Sequence, residues 1–514
     1  MNNNQLFFSI FRNISLKRII CSLIVKDITI DAHPDYLDDN HQYLQNLICG
    51  QEYKLQINAS ITNESIQQFK LCKHRDLYTS INFSSSLPKE IHFDIVANYL
   101  PKYIQIISNI NEHVLHQKQL RDIPTLTNLS CHPLVDKLKP NTLPINLEFF
   151  TVSLNNGSIE KDVLPQNMKS ISIRDQCHKN KDTYLNSVFP HKMDAHLGVI
   201  VDYDNPLEYH RTNVNITSVY IEYLRYEPLS ANLFPPTVKK ICLMNFSSSE
   251  LQIGCIPQCA TNLLIGTLGG ELRIGVLSTH KFLTSLDIMT YNGPLLPGVF
   301  PKSLTTLCLS SYDIQLQPKV IPQSIKELYL TSYSHNFDNN VLPMHSTVFD
   351  ELCLYGSPIL KKGSLPNCIK TLRIRADNVQ SSDIYPASLN KLCLVDCNKE
   401  NLKIVLKSLP HSIVCLEINF DDTAINHLPP LPLSITNLKL NCFNEFKIDS
   451  LEFLPPKLQK LTLNLNFNSS IFIPPKTLPL SLEVIMITSQ KNIQFKPPPT
   501  VRTYINNRYY QKIN

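Results

Sequence analysis

Two histidines and several cysteines are the side chains in this sequence whose spacing could serve metal chemistry. His113 and His116 are spaced as H-x-x-H. A zinc metalloprotease needs H-E-x-x-H, in which two histidines on one helical face hold the metal and the glutamate is the general base. That carboxylate is missing here. The sequence therefore predicts two ordinary surface histidines, with no catalytic residue and no metal ligand.

The cysteines are predicted to be thiols. There are 15 of them, an odd number that cannot pair completely within one chain. The pairs Cys255–Cys259 and Cys393–Cys397 lack the C-x-x-C spacing of zinc ribbons. The first 25 residues show no signal peptide, because Arg12, Lys17 and Arg18 interrupt their apolar stretches. We therefore expect a reducing, cytoplasmic location and no membrane insertion.

Composition argues against most enzyme and nucleic-acid classes. The chain has 12 Gly and 35 Pro in 514 residues, too little glycine for phosphate-cradling loops and too much proline for long helices. The sequence contains none of the motifs of P-loops, dinucleotide-binding folds or serine hydrolases. The net charge of +5 is mild and contains no basic block. The sequence predicts a protein that is not an enzyme, uses no cofactor and binds no nucleic acid.

A short motif returns along the chain from about residue 140. In the copy FPKSLTTLCL, Pro301 precedes Leu304, Leu307 and Leu309. Counting from Pro144 to Pro498 gives seventeen such units, at intervals of 19 to 25 residues. Further clear copies begin at Pro322, Pro366, Pro386, Pro410, Pro432, Pro455 and Pro479.

Each unit carries one short strand. In an L-x-L sequence the two apolar side chains lie on one face of a strand and the residue between them lies on the other. Proline fixes the backbone just ahead of the strand. A lone unit buries too little apolar surface to offset its ordering entropy, whereas stacked units share a core. The fold class predicted is mainly β, a leucine-rich-repeat-like parallel β-solenoid of about 22-residue units, with a smaller, partly helical N-terminal region.

The rest of each unit returns the chain to the next strand. Several returns carry an aromatic residue followed by Asn, as in Tyr291-Asn292-Gly293-Pro294-Leu295, Phe443-Asn444 and Phe467-Asn468. We expect the aromatic ring to fill the outer core and the Asn to bond to turn amides. Because the returns contain many prolines, they are predicted to be irregular or short second strands.

These residues resemble a known repeat family. Units reading LP-x-S-L-x-x-L-x-L and followed by F-N-x-P-[IL] are similar to FNIP repeats, the leucine-rich-repeat-like units of social amoebae. The clearest match runs from Tyr291 to Leu304, and the resemblance covers roughly residues 140 to 500. It implies a solenoid without recognised catalytic residues. Leucine-rich repeats in general are interaction scaffolds, which is an analogy of fold alone.

Two regions are predicted. Residues 121–510 form the tandem repeats, and residues 1–120 form an N-terminal cap or adaptor-like region, partly helical at 5–26. The helical spacing favours a cap over the open edge of the first repeat. The alternative is an F-box-like helix that docks an adaptor, which would make the protein a substrate receptor of a ubiquitin ligase. The LP start that is typical of that motif is missing.

The residue between the two strand leucines is expected to form a line along the inner, concave face. The candidate partner-binding residues on this line are Tyr220, Asp287, Tyr329, Arg373, Glu417 and Lys439. They suit a protein or peptide partner, although the same residues would also serve as a simple solvated sheet. Reading every unit in turn, the line is Thr151, Ser172, Leu197, Tyr220, Cys242, Leu264, Asp287, Cys308, Tyr329, Cys353, Arg373, Cys393, Glu417, Lys439, Thr462, Met486 and Ile505.

Three cysteines on this line recur two repeats apart. Cys308, Cys353 and Cys393 would then be separated by about 10 Å from one to the next, given the spacing of paired strands. That separation is too large for a disulfide or for tetrahedral zinc with its short Zn–S bonds. We expect partly buried thiols.

Overall fold

The computed structural model contains two compact units, residues 1–222 and 223–514. Each unit is a stack of parallel strands, and each is described on its own below. The residues that the structure describes are 29–49, 56–117, 119–155, 157–160, 162–175, 194–201, 215–223, 229, 234–244, 250–337, 341–379, 384–397, 401–402, 405–406, 409–420, 428, 430–442, 447–448, 453–465, 470–471, 478–488, 501–505 and 508–509.

The first unit is built on eight strands that pair in parallel in the order β1-β2-β3-β4-β5-β7-β9-β10. β6 and β8 form a separate two-stranded parallel sheet, and β11 lies at the sequence boundary between the units. The strands are β1 (Thr29–Asp31), β2 (Gln56–Ile61), β3 (Ser80–Phe83), β4 (Ile106–Ile110), β5 (Asn128–Leu134), β6 (Lys137–Leu138), β7 (Phe149–Leu154), β8 (Ser158–Ile159), β9 (Ser170–Asp175), β10 (Asp194–Val201) and β11 (Asn215–Tyr223).

The strand stack begins upstream of the repeats that the sequence predicts. Strands β1 to β4 lie within residues 29–110, where the sequence pattern suggests a cap. Their returns are helical, unlike the proline-rich returns further along, and this is why the leucine-and-proline pattern fades there. The four helices are α1 (Pro34–Cys49), α2 (Ile66–Leu71), α3 (Lys89–Asn98) and α4 (Glu112–His116). The helix expected at 5–26 falls outside the described residues.

The second unit is a longer stack in which every strand from β12 to β26 on the main sheet is parallel to the next. β22 and β24 form a small parallel sheet, and β27 turns back antiparallel to β26. The strands are β12 (Lys240–Met244), β13 (Asn262–Leu268), β14 (Ser285–Tyr291), β15 (Thr306–Leu309), β16 (Glu327–Leu330), β17 (Glu351–Leu354), β18 (Thr371–Arg375), β19 (Lys391–Cys397), β20 (Cys415–Phe420), β21 (Asn437–Cys442), β22 (Lys447–Ile448), β23 (Lys460–Leu465), β24 (Ser470–Ile471), β25 (Val484–Thr488), β26 (Arg502–Ile505) and β27 (Arg508–Tyr509).

The register confirms a solenoid turn of about 22 residues. Lys240 pairs with Asn262, 22 positions further on, and the strand leucines fall directly over one another. Leu307, Leu328 and Leu352 are successive partners, and each is fully buried. Because leucine stacks on leucine, each 22-residue repeat has a core that the neighbouring repeats complete. The mainly β, parallel solenoid predicted from the sequence is confirmed.

Proline begins a tight turn and not the strand itself. The carbonyl of Pro301 accepts a hydrogen bond from the N–H of Leu304 at 3.2 Å, and β15 begins only at Thr306. The same turn begins the repeat at Pro322, where the N–H of Ile325 is the donor. The fixed φ of proline suits the first position of such a turn, which directs the next leucine into the core.

Tyr291, the aromatic residue of one return, is buried as expected, whereas Phe443 and Phe467 lie outside the described residues. Tyr291 and Tyr312 are each 1% exposed, and their rings stack with centroids 6.0 Å apart. The hydroxyl of Tyr291 accepts from the N–H of Leu272 at 3.1 Å and donates to the carbonyl of Pro294 at 3.2 Å. The expected short second strands occur as β6 with β8 and as β22 with β24.

Among the described residues, every helix falls short of the length and apolar character that a bilayer crossing requires.

Candidate functional site

The side of the second unit's strands that faces away from the buried leucines is called the ladder face here. Its central column consists of the residues between the two strand leucines, which pair one to the next in an unbroken register. The central column runs Cys242, Leu264, Asp287, Cys308, Tyr329, Cys353, Arg373, Cys393, Glu417, Lys439, Thr462, Met486 and Tyr504.

The central column contains five of the six residues proposed from the sequence. Asp287, Tyr329, Arg373, Glu417 and Lys439 all occupy it and are all half-buried. The sixth residue belongs to the first unit. It is Tyr220, half-buried on β11.

The sequence reading was wrong by one residue at both degenerate copies. His196, and not Leu197, is the partner of Ser172. At the other end Tyr504, and not Ile505, is the partner of Met486. A slip of one residue exchanges the two faces of a strand, and the worn copies lack the leucines that would have fixed their register.

A partly buried ion pair joins two neighbouring strands at the middle of the ladder face. Arg373 Nε donates to Glu351 Oε1 at 2.8 Å, and the two side chains are only 27% and 22% exposed. Burial alone would lower the pKa of Arg373, but the hydrogen bond from this guanidinium to Glu351 outweighs it and the pKa is raised. The guanidinium is therefore fixed in position and charged.

A second ion pair lies two strands further on. Lys439 Nζ is 2.8 Å from Glu417 Oε1, and Asn441 Nδ2 donates to the same oxygen at 2.8 Å. Burial tends to raise the pKa of Glu417, but the bonds from Lys439 and Asn441 outweigh it and the net shift is downward. This carboxylate is ionised at neutral pH and is already occupied by two donors.

Asparagines form a bonded row beside this pair. Asn441 Nδ2 donates to Asn419 Oδ1, and Asn464 Nδ2 donates to Asn441 Oδ1 at 2.6 Å. These three residues are register partners on β20, β21 and β23. The row holds the polar side chains of three repeats in a single arrangement, as amide ladders do on stacked strands.

Two of the four thiols of the central column are buried, and the other two are half-buried. Cys353 and Cys393 are the register partners on either side of Arg373, and they are 2% and 1% exposed. Burial raises the pKa of each to about 11, so both are protonated at neutral pH. Burial also raises the pKa of Tyr329 to about 12. These groups are neutral at pH 7, and none of them is an activated nucleophile.

Asp287 lies in a less polar part of the central column. Its neighbours in register are Leu264 and Cys308. Burial raises its pKa, and a hydrogen bond from the thiol of Cys308 opposes the rise. Its Oδ1 is buried and has no hydrogen-bond partner among the described residues. Neither of the two register neighbours of Asp287 carries a positive charge.

Two contributors were missed by reading only the central column. Glu351 lies two positions before Cys353 on the same strand, and Asn441 lies two positions after Lys439. Alternate residues of a strand share a face, so columns two positions away belong to the same surface. Reading every second residue, and not only the one between the leucines, would have found both.

The recurring Ser of the motif LP-x-S-L has a structural role that the sequence reading left unassigned. Ser303 Oγ donates to the carbonyls of His280 and Leu283 in the preceding repeat, at 3.0 and 2.7 Å. Ser324 and Ser388 make equivalent bonds to Leu304 and Ile369. The hydroxyl joins adjacent turns of the solenoid, which explains its recurrence at this position.

The geometry defines a β-solenoid of leucine-rich-repeat-like units. The FNIP Repeat family matches residues 291–333, which include Tyr291, Pro301 and the strands β15 and β16. The match agrees with the resemblance seen in the sequence motif and places FNIP repeats at residues 291–333.

Solved structures are also similar to this chain. One is described as "The crystal structure of CroV588 a novel circular LRR protein structure", with 18% sequence identity and a TM-score of 0.46, covering 90% of this chain and 73% of that one. No curated protein matches the sequence.

Proposed function

We propose that this protein is a non-catalytic interaction scaffold that holds a protein or peptide on its ladder face. The observation that most supports the proposal is that ion pairs and hydrogen bonds already hold the polar side chains of that face in place. The ion pair of Arg373 with Glu351, the pair of Lys439 with Glu417 and the asparagine row fix polar side chains before any partner arrives. A surface ordered in advance loses less side-chain entropy on binding.

The charges of the ladder face favour an acidic partner segment at its C-terminal end. The first column, two positions before the central column, contains Lys391, Lys460 and Arg502. Neither Lys391 nor Lys460 has an ion-pair partner within the described part of the chain. Arg502 is 4.0 Å from Glu483 with both side chains about 60% exposed, which is a weak pair. These cations remain available to carboxylates of a partner.

The chemistry of the ladder face supports a non-catalytic role. Cys353 and Cys393 are protonated and buried, and Arg373 and Lys439 are paired. Repeat families of this kind are in general non-catalytic. We also propose, as the sequence predicts, that the protein is cytoplasmic and uses no cofactor. Binding, and not turnover, is what this surface is suited to.

The test compares charge reversals that leave the internal pairs intact. Partners of the full-length chain are first identified by proximity labelling in its native cells. The variant Lys391→Glu with Lys460→Glu should then lose most of the recovered partner, with the melting temperature unchanged. Equal recovery by this variant and by the unmodified chain would contradict the proposal.

The matched control reverses two lysines outside the ladder face. Lys281 and Lys302 are exposed residues of turns in the same unit. The variant Lys281→Glu with Lys302→Glu has the same net charge as the test variant. It should recover the partner in full, which separates a local contact from a general effect of charge.

The alternative of a ubiquitin-ligase substrate receptor stays a prediction. Its F-box-like segment at 5–26 lies outside the described residues. Deleting residues 1–28 should remove a ligase adaptor from the recovered proteins if this role is correct, while the partner of the ladder face remains.

A further inference from the structure

A group of three potential metal ligands lies in the first unit, in the return between β4 and β5 and just beyond β5. Glu112 and His116 are four residues apart on α4, so they share one face of that helix. Asp136 follows β5. One ligand atom from each of the three side chains lies within 4.8 Å of the other two.

The backbone holds these residues together. Glu112 Oε2 accepts the N–H of Val135 at 2.6 Å and that of Asp136 at 3.0 Å. These bonds fix the segment that carries Asp136 against the start of α4. Asn111 caps the same helix by accepting the N–H of His113 at 3.0 Å. Both of these bonds are made by Oε2, and among the described residues Oε1 of Glu112 makes none.

His116 carries an unsatisfied ring nitrogen. His116 Nε2 is a buried atom, and no hydrogen-bond partner for it exists within the described residues. A buried polar atom without a partner costs free energy, and native structures leave few of them. The carboxylates of Glu112 and Asp136 also lie close together, and neither has an ion-pair partner among the described residues. A bound divalent ion would satisfy the nitrogen and neutralise the two carboxylates.

We propose that Glu112, His116 and Asp136 bind a divalent transition-metal ion of the Zn²⁺ class. An imidazole with two carboxylates favours zinc or cobalt over calcium and magnesium, which prefer oxygen ligands alone. A tetrahedral ion with bonds of about 2.0 to 2.2 Å requires ligand atoms about 3.4 Å apart. The three ligand atoms, which lie within 4.8 Å of one another, would move closer to that separation on binding the ion. Water takes the fourth position.

The ion links two neighbouring turns of the solenoid. Glu112 and His116 belong to the return that follows β4, and Asp136 to the one that follows β5. Metal binding to the folded state alone would raise its stability. The sequence analysis predicted no metal ligand at the H-x-x-H spacing. In the group that the structure brings together, the residue beside Glu112 and His116 is Asp136 and not His113. Asp136 lies 20 positions beyond His116, outside any local motif.

In the experiment, the full-length chain is titrated with Co²⁺ alone while its thiols are kept reduced. Cobalt absorbs differently when thiolates are its ligands, so cysteine binding is distinguished from binding to nitrogen and oxygen. The deciding variant is Asp136→Asn, because Asp136 is exposed and its substitution leaves the core intact. His116→Ala is the second variant. His113→Ala is the matched control, since His113 lies on the same helix outside the three-residue group.

We expect one Co²⁺ per chain with nitrogen and oxygen ligands in the unmodified protein and in His113→Ala. Asp136→Asn and His116→Ala should bind it at least tenfold more weakly, and added Zn²⁺ should displace it. The proposal is overturned if Asp136→Asn keeps the full affinity, or if every bound cobalt shows thiolate ligands. It is equally overturned if the unmodified chain binds none.

Discussion

Arg373 Nε and Glu351 Oε1 lie 2.8 Å apart on neighbouring strands, with both side chains less than a third exposed. Arg273 and Glu250 make a pair of almost the same length, 2.9 Å, but their side chains are 62% and 42% exposed. The two pairs therefore differ mainly in their access to water. Burial strengthens the attraction and also raises the cost of leaving one charge alone.

Removing one partner of the shielded pair should destabilise the second unit. Arg373→Ala leaves Glu351 without its partner, and we expect a loss of about 1 to 3 kcal/mol. Arg273→Ala should cost less than about 1 kcal/mol, because exposed pairs contribute little. Urea unfolding followed by circular dichroism measures both. Equal losses from the two variants would show that burial does not decide the strength of the pair.

The stacked leucines should tolerate truncation poorly. Leu328 is fully buried between Leu307 and Leu352, so Leu328→Ala should cost about 2 to 5 kcal/mol from lost burial and the cavity that remains. Leu433 is the matched control, because its side chain is 62% exposed in a turn. Leu433→Ala should leave the thermal midpoint within a degree or two. A similar fall in both would contradict the stacked core.

The sequence predicted the stacked strands because the pattern that specifies each strand lies within a single repeat. A leucine two residues from another, at a fixed distance from proline, defines both the strand and its buried face. The rule failed where those residues were absent, as at His196 and Tyr504, and where helices replaced the proline-rich returns. It also could not reveal contacts such as that of Arg373 with Glu351, or the approach of Asp136 to His116. These depend on how neighbouring turns stack, which no single repeat encodes.

The serine of the repeat motif should contribute to stability through its two bonds. Ser303→Ala removes the donor to the carbonyls of His280 and Leu283, with an expected loss of about 1 kcal/mol. Ser303→Cys should lose less, since Cys259 occupies the equivalent position and its thiol bonds to the carbonyls of Pro236 and Val238. Thermal unfolding of the three proteins tests the order. A Ser303→Ala protein as stable as the parent would refute the assigned role.

His92 should make the first unit sensitive to acid. It is 3% exposed, its ring stacks on Phe83 at 4.4 Å, and its Nδ1 accepts the N–H of Asn111 at 3.3 Å. Burial lowers its pKa from 6.5, and a bond to the backbone at Leu87 only partly opposes this. The unfolded chain therefore binds the proton more readily than the folded one.

The sign of the effect follows from that difference. Stability from this residue is fully present above pH 6.5 and is lost as the pH falls from 6.5 to the lowered folded value. Unfolding midpoints measured between pH 8 and pH 5 should fall in the parent protein. In His92→Phe the fall should be smaller, because the side chain that takes up the proton is gone. Exposed His411 supplies the control, and His411→Phe should keep the parent's slope. A slope that is unchanged in His92→Phe would assign the acid sensitivity to other groups.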